Sequence, residues 1–261
     1  MKNRLLGSIL ILILIIPVLV IGNNLFTFSV IVLGILALRE LINCNKDIKI
    51  PMIMQIISYI CEVIICISNS YSSISLSLDY YVLALCLVLT LLPSIFLYKK
   101  NYGAKEAMYL SFITLFIGLC SNMNIMVFKY NKMFYIYLLL ISICTDVFAF
   151  LGGKLLGKHK LSKISPKKTI EGSVIGIVVA TIIGTIYYFN IIGSSNIFLL
   201  IIVSIVLSIA GEMGDLFFSL IKRENNIKDY SNIIPGHGGI LDRVDSLTFV
   251  ILVAVILVRL L

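Results

Sequence analysis

Residues 197–221 read IFLLIIVSIVLSIAGEMGDLFFSLI, and this stretch decides the fold class. Its only charged residues are Glu212 and Asp215, and both lie toward its C-terminal end. A helix needs about 20 predominantly apolar residues to cross the ~30 Å hydrocarbon core of a bilayer. The stretch is therefore typical of a membrane-spanning helix with one polar end.

The whole chain has the same apolar character. Of its 261 residues 60% are hydrophobic and 13% are charged, with a mean hydropathy of +1.08. Soluble domains average about 45–50% apolar and about 25% charged residues. The composition excludes an ordinary soluble globule, a disordered chain and a secreted disulfide scaffold. The six cysteines form no C-x-x-C pair, and we expect small buried side chains rather than disulfides or metal ligands.

The apolar runs predict an all-α bundle of about nine membrane spans. The predicted spans are Leu5–Ile21, Leu25–Ile42, Ile50–Ile67, Tyr80–Tyr98, Ala107–Phe128, Met133–Leu151, Ser173–Gly193, Ile197–Ile221 and Ile240–Leu261. The last is the weakest, because three charged residues crowd its start. We expect a single integral membrane domain, in which residues 1–132 form spans with little site chemistry and residues 133–261 form the catalytic part.

The basic side chains predict the orientation of the bundle. If the N-terminus is cytoplasmic, 18 of the 21 lysines and arginines lie on the cytoplasmic side, and only Lys129, Lys132 and Arg259 lie on the other. Cytoplasmic loops of membrane proteins carry such an excess of positive charge. We therefore expect a cytoplasmic N-terminus, and no nucleic-acid partner despite the net charge of +8.

Two predicted cytoplasmic loops carry the unusual residues. They read GGKLLGKHKLSKISPKKTIEG at 152–172 and GEMGDLFFSLIKRENNIKDYSNIIPGHGGILDRVDS at 211–246. Asp146 and Asp215 lie in spans, where carboxylates are costly, and Asp242 and Asp245 share one helix face. Several carboxylates without matching thiolates or histidines suggest a hard cation such as Mg²⁺. Salt bridges are the alternative interpretation for each aspartate.

Positive groups and glycines in the same loops fit a polyphosphate ligand. The basic candidates are Lys167, Lys168, Lys222, Arg223 and Lys228. Gly236, Gly238 and Gly239 allow backbone N–H groups to approach an anion just before the last span. The alternatives are a flexible connector and lysines that only set the topology. No G-x-x-x-x-G-K-[ST] pattern occurs in the sequence, which excludes a P-loop NTPase.

Both loops resemble the signature of the phosphatidate cytidylyltransferases. The second reads S-x-x-K-R-x(4)-K-D-x(5)-P-G-H-G-G-x-x-D-R-x-D from Ser219, and the first reads S-P-K-K-T-x-E-G from Ser165. The resemblance implies a multi-pass inner-membrane enzyme whose active site faces the cytoplasm. Such an enzyme joins CTP to phosphatidate, gives CDP-diacylglycerol and pyrophosphate, and works as a homodimer.

The resemblance also implies roles for individual residues. The metal ligands for Mg²⁺, and for K⁺ as a second ion, would be Asp215, Ser219, Asp242 and Asp245. The substrate-binding residues would be Ser165, Lys167, Lys168, Thr169, Gly236, Gly238, Gly239, Arg243 and Asp146. The catalytic group would add Lys222, Arg223, Lys228 and His237 to the three metal-binding aspartates. His237 is assigned to hydrogen bonding with phosphate or around the metal rather than to proton abstraction.

Three positions depart from the family pattern. Phe218 stands where an acidic residue is common, Glu212 where Gln is common, and Ser231 where Gly is common. Glu212 lies three residues before Asp215 and so on the same helix face, which suggests a supporting role. Two alternatives stay open, namely a CTP-dependent transferase acting on another lipid phosphate and an ion-coupled transporter. The transporter does not explain the density of lysine, glycine and acid in one loop.

Overall fold

Helices make up nearly all of the regular structure. The computed structural model describes residues 16–68, 80–98, 102–193, 196–234 and 238–257. Within these ranges the chain forms two isolated β-bridges and no strand. The helices are α1 (Asn23–Cys44), α2 (Met52–Ile67), α3 (Tyr80–Leu91), α4 (Pro93–Leu97), α5 (Ala104–Tyr130), α6 (Lys132–Leu156), α7 (Ile170–Ile191), α8 (Ile197–Glu224) and α9 (Leu241–Leu257). Residues 16–21 are also helical.

Within the described residues, six helical segments are long and apolar enough to cross a membrane. They are Asn24–Cys44, Tyr80–Leu97, Ala104–Tyr130, Lys132–Leu156, Ile170–Ile191 and Ile197–Glu224. Helices α2 and α9 are shorter, with 16 and 17 residues, and most of the predicted span Leu5–Ile21 lies outside the described residues. An all-α integral membrane protein is therefore confirmed, whereas nine spans and the orientation of the N-terminus stay predictions.

The outer faces of the helices are apolar. Phe96 is 83% exposed, Phe150 69% and Ile182 54%, which would be unusual over so many helices in water. Lipid tails are as apolar as these side chains, so the same surface is compatible with a bilayer. The predicted span Tyr80–Tyr98 is interrupted at Leu92, because Pro93 has no N–H group to continue the helix and instead starts α4.

The chain divides into two compact units. The first unit combines residues 1–130 with 227–243, and the second combines residues 131–226 with 244–261. In the first unit α5 packs against α1, α2 and α3. In the second unit α7 packs against α6 and α8, and α6 packs against α8. The division of function that we predict after residue 132 stays a prediction.

Helices α8 and α9 approach closely in the second unit. A Cβ atom on Gly214 would lie 2.8 Å from the carbonyl oxygen of Asp245. Real Cβ atoms do not approach so closely, so only glycine fits here at this helix separation. The contact brings the polar end of α8, with Asp215, beside the beginning of the second-unit part of α9.

Candidate active site

Four carboxylates from three helices lie near one another in the second unit. They are Asp146 on α6, Glu212 and Asp215 on α8, and Asp245 on α9. Asp215 and Glu212 act electrostatically on Asp146, and Asp215 and Asp146 act on Asp245. We call these four side chains the carboxylate cluster.

Lys168 connects the first motif loop to the carboxylate cluster. Its Nζ lies 2.7 Å from Oδ2 of Asp215, and the two side chains are 18% and 27% exposed. Burial disfavours the charged ammonium, but the charges of Asp215, Asp146 and Glu212 outweigh burial and raise the pKa of this lysine above its ordinary value. Lys168 is therefore a permanent positive charge beside the cluster at neutral pH.

Other side chains of α8 surround Asp215. Ser219, one turn further along the helix, donates a hydrogen bond from Oγ to Oδ1 of Asp215 at 3.3 Å. Lys222 is buried and its charge also attracts Asp215. Arg223, the next residue, is exposed. Of the two predicted basic residues on α8, Lys222 is thus the one close to the cluster.

Two serines hold Asp146 in place. Ser246 Oγ donates to Oδ2 of Asp146 at 2.8 Å, and Ser142 Oγ lies 3.0 Å from Ser246 Oγ. Because the hydroxyl proton of Ser246 points to Asp146, Ser142 donates to Ser246. Asp245 accepts a hydrogen bond at Oδ1 from the N–H group of Ser246 at 3.0 Å. Neither serine was predicted from the sequence, where Ser142 is a single polar residue in an apolar run and Ser246 directly follows Asp245.

The carboxyl groups of the carboxylate cluster outnumber the lysines beside it. Four carboxylates are near Lys168 and Lys222, and Oε1 of Glu212 is buried and accepts no hydrogen bond in the described part of the chain. Such an all-oxygen set suits Mg²⁺. Among the described residues, however, no three His, Cys, Asp or Glu side chains converge into a ready-made metal site.

Asp242, in the first turn of α9, belongs to the first unit. Its Oδ2 accepts hydrogen bonds from the N–H groups of Tyr230 and Gly239, both at 2.9 Å. Between these two donors Ile234 and Gly238 form an isolated bridge, and Gly238 has φ +85°. Asp242 therefore connects Tyr230 and Gly239, which lie on either side of this bridge, to the start of α9.

Glu40 is a further residue that the sequence analysis missed. It lies on α1, is only 3% exposed, and accepts a hydrogen bond from Ser231 Oγ at 2.6 Å. Its two carboxylate oxygens also accept from the N–H groups of Ile240 and Leu241, each at 2.9 Å. The only signal in the sequence was a single acidic residue at the end of an apolar run.

The other predicted residues are mostly exposed or lie outside the described residues. The exposed ones are Lys167, Arg223, Lys228 and Arg243. Gly236 and His237 lie outside the described residues. His159, expected to be solvated, is 75% exposed and its Nδ1 lies 2.6 Å from Oε1 of Glu171.

The S-P-K-K-T segment forms a turn that leads into α7. The N–H group of Lys168 donates to the carbonyl oxygen of Ser165 at 3.0 Å. Thr169 caps α7, since its Oγ1 accepts from the N–H group of Gly172 at 3.2 Å. This turn orients Lys168 toward Asp215. Binding of substrate by Ser165 and Thr169 stays a prediction.

Comparisons with known proteins extend the resemblance over the whole chain. Residues 2–261 match the profile of the Cytidylyltransferase family. A phosphatidate cytidylyltransferase of Staphylococcus haemolyticus is 35% identical over 253 residues, which cover 96% of each chain. That of Bacillus subtilis is 34% identical over 257 residues, covering 96% of this chain and 94% of the other. That of Staphylococcus saprophyticus is 35% identical over 253 residues, again 96% of each chain.

Proposed function

Because the chain belongs to the cytidylyltransferase family, we propose that it is an enzyme that joins CTP and phosphatidate to give CDP-diacylglycerol and pyrophosphate. The observation that carries the proposal is the 2.7 Å ion pair between Lys168 and Asp215. Lys168 belongs to the first motif and Asp215 to the helix that leads into the second. The ion pair therefore joins the first motif to the carboxylate cluster within the second unit.

The reaction requires alignment and charge stabilisation more than a general base. The second pKa of a phosphate monoester is about 6, so phosphatidate is mostly ionised at neutral pH. One of its oxygens attacks the α-phosphorus of CTP, the bond from that phosphorus to the β-phosphate oxygen breaks, and pyrophosphate leaves with the electron pair. The enzyme must hold two polyanions together and stabilise the charge that develops on the leaving group.

The basic residues provide that stabilisation in this proposal. We assign Lys168 to the phosphates of CTP, because it is charged, half-buried and held in a fixed place by Asp215. Lys222 balances part of the negative charge beside Asp215. The exposed side chains of Lys167, Arg223 and Lys228 attract the nucleotide from solution, and His237 hydrogen-bonds to phosphate. None of these roles needs a proton to be abstracted from the lipid.

We propose Mg²⁺ as the cofactor, with K⁺ as a second ion, held by Asp215, Ser219, Asp242 and Asp245. The all-oxygen donors of the carboxylate cluster support this assignment, as does Oε1 of Glu212, which is buried and accepts no hydrogen bond among the described residues. When bound, a divalent cation supplies positive charge that reduces the repulsion between the two substrates. These residues would hold the ion and orient its charge.

We propose further that the site faces the cytoplasm, that the N-terminus is cytoplasmic and that the enzyme is a homodimer in the inner membrane. The placement of 18 of the 21 basic residues on one side supports the orientation. It fits the chemistry, because the acyl chains of phosphatidate stay in the bilayer while its headgroup meets CTP at the membrane surface. The family resemblance is the support for the dimer, which light scattering of the detergent complex would test.

The direct test measures pyrophosphate release by the protein purified in detergent, with labelled CTP and Mg²⁺. We expect release only when phosphatidate is present, and none from Asp215→Asn. Asp47→Asn is the matched control, because Asp47 is an exposed aspartate in a loop of the first unit. Release without lipid, or equal release with a polyprenyl phosphate in place of phosphatidate, would refute the assignment of the substrate. A complete lack of release would favour the transporter.

A further inference from the structure

Glu40 binds both ends of the segment that carries P-G-H-G-G. At one end its Oε1 accepts a hydrogen bond from Ser231 Oγ at 2.6 Å. At the other end Oε1 accepts from the N–H group of Ile240 and Oε2 from that of Leu241, both at 2.9 Å. The side chain of Glu40, 191 positions before Ser231 in sequence, thus links the two ends of this segment by hydrogen bonds.

The carboxylate of Glu40 has a fixed place in the first unit. It is 3% exposed, and the carbonyl oxygen of the following residue, Leu41, accepts a hydrogen bond from the Tyr109 hydroxyl of α5 at 2.8 Å. A Cβ atom on Gly239 would overlap Oε1 of Glu40, so the last glycine of the motif must lack a side chain. The N-terminal dipole of α9 also favours an anion at this position.

Asp242 depends on the same segment. Its Oδ2 accepts from the N–H groups of Tyr230 and Gly239, which directly precede the residues that Glu40 binds. The two carboxylates thus accept hydrogen bonds from three consecutive backbone N–H groups at the start of α9, those of Gly239, Ile240 and Leu241, and Asp242 accepts one more from Tyr230. A displacement of the segment away from Glu40 would therefore move the donors that orient Asp242.

We propose that Glu40 is a positioning residue for cytidylyl transfer, which acts by fixing Asp242 and the ends of the segment that carries P-G-H-G-G. The inference rests on the proposed function. Glu40 acts through backbone groups and touches neither substrate. The N-terminal part of the chain, which the sequence suggests is poor in site chemistry, then supplies the residue that positions Asp242 within the first unit.

The experiment compares wild type with three variants. Glu40→Gln keeps the size of the side chain but replaces one acceptor oxygen with an NH₂ group, which cannot accept from a backbone N–H group. Ser231→Gly removes only the hydroxyl donor and introduces the residue common in the family. Glu62→Gln is the matched control, because Glu62 is fully buried on α2 in the same unit and its carboxylate accepts a hydrogen bond from Cys66 Sγ at 3.0 Å.

Four quantities are measured for each protein: kcat, KM for CTP, the thermal unfolding midpoint in detergent, and the hydrogen exchange of a peptide covering residues 227–241. We expect Glu40→Gln to lower kcat by about 10- to 100-fold, because misplacing a reacting group by about 1 Å costs about 100-fold. KM for CTP should change by less than about threefold, since no contact with the nucleotide is lost. Exchange in 227–241 should accelerate, and Glu62→Gln should change neither kcat nor this exchange.

A purely structural role predicts a different result, in which Glu40→Gln and Glu62→Gln lose kcat in the same proportion to their loss of thermal stability. That result, or unchanged exchange of 227–241 in Glu40→Gln, would overturn the inference. If Glu40→Gln does not fold, the Ser231→Gly variant tests the inference instead. We then expect faster exchange and a kcat lower by about two- to fivefold. No change in either quantity would count against the inference. If the wild-type protein shows no lipid-dependent turnover, the proposed function is refuted instead. The exchange data would still show whether Glu40 stabilises residues 227–241.

Discussion

Replacing Lys168 by Gln tests the contact that joins the two motifs. The substitution removes the ammonium that lies 2.7 Å from Asp215 and leaves the neighbouring carboxylates without that counter-charge. Exposed ion pairs contribute about 0–1 kcal/mol, whereas removing one partner of a buried pair costs about 3–5 kcal/mol. The two side chains are 18% and 27% exposed, so the pair lies between the exposed and the buried case. We therefore take the loss of interaction free energy as about 2 kcal/mol.

If this interaction is fully used in the transition state, the loss corresponds to a decrease of about 30-fold in kcat/KM, since 1.36 kcal/mol is a factor of ten. The assay is the initial rate of labelled CDP-diacylglycerol formation over a range of CTP concentrations at saturating Mg²⁺ and phosphatidate. Lys167→Gln is the matched control, because the neighbouring lysine is exposed. We expect the control to lose less than about threefold, as exposed charges do.

Equal losses in Lys168→Gln and Lys167→Gln would refute the reasoning, because both lysines would then act only through their general charge. Thermal unfolding in detergent tests the alternative explanation, in which the ion pair contributes only to the stability of the fold. A variant that loses stability but keeps kcat/KM would show that the Lys168–Asp215 pair supports the fold and not the reaction. Lys168→Arg keeps the charge, and partial recovery of the rate is expected from it.

Three further predictions concern the metal and the topology. Glu212→Gln should raise the Mg²⁺ concentration needed for half-maximal rate, because cation affinity follows the charge of the site; an unchanged Mg²⁺ titration would place Glu212 outside the metal site. Chelation with EDTA should abolish turnover and added Mg²⁺ should restore it, and activity that persists in EDTA would count against a divalent cofactor. In a variant without the native cysteines, single cysteines at Ser162 and Asn232 should label from the cytoplasmic side, and those within residues 69–79 or after Leu261 from the other side. Labelling of Ser162 or Asn232 from outside would separate the motif loops from cytoplasmic CTP.

The apolar runs predicted the helices well, because length and hydropathy alone determine whether a segment can cross a bilayer. The predicted span Ile197–Ile221 corresponds to Ile197–Glu224 in the structure. The break at Leu92 was foreseeable from Pro93, but the predicted span Tyr80–Tyr98 did not include it. Helix α9, with 17 residues, shows why the ninth predicted span was the weakest.

The candidate site was only partly predictable. The types of residue at Asp215 and Lys168 indicated a charged site, but their pairing across 47 positions of sequence required the fold. Glu40 was missed for the same reason, since its donors lie 191–201 positions away in sequence and the charged neighbour Arg39 gives no indication of them. Local sequence patterns indicate which types of chemistry the residues can support, whereas contacts between distant segments determine which residues form one site.

The discontinuous first unit has a consequence for biogenesis. Glu40 enters the membrane 200 residues before the amide of Ile240 that it will bind. At translation rates of about 5–20 residues per second, the interval lasts about 10–40 s. Until residues 227–243 are made the first unit lacks its last segment, so the nascent chain carries a carboxylate near the end of a span without its final donors. We expect a chain that terminates early to keep this acid without its final donors, and so to be degraded faster than the finished protein by quality-control proteases.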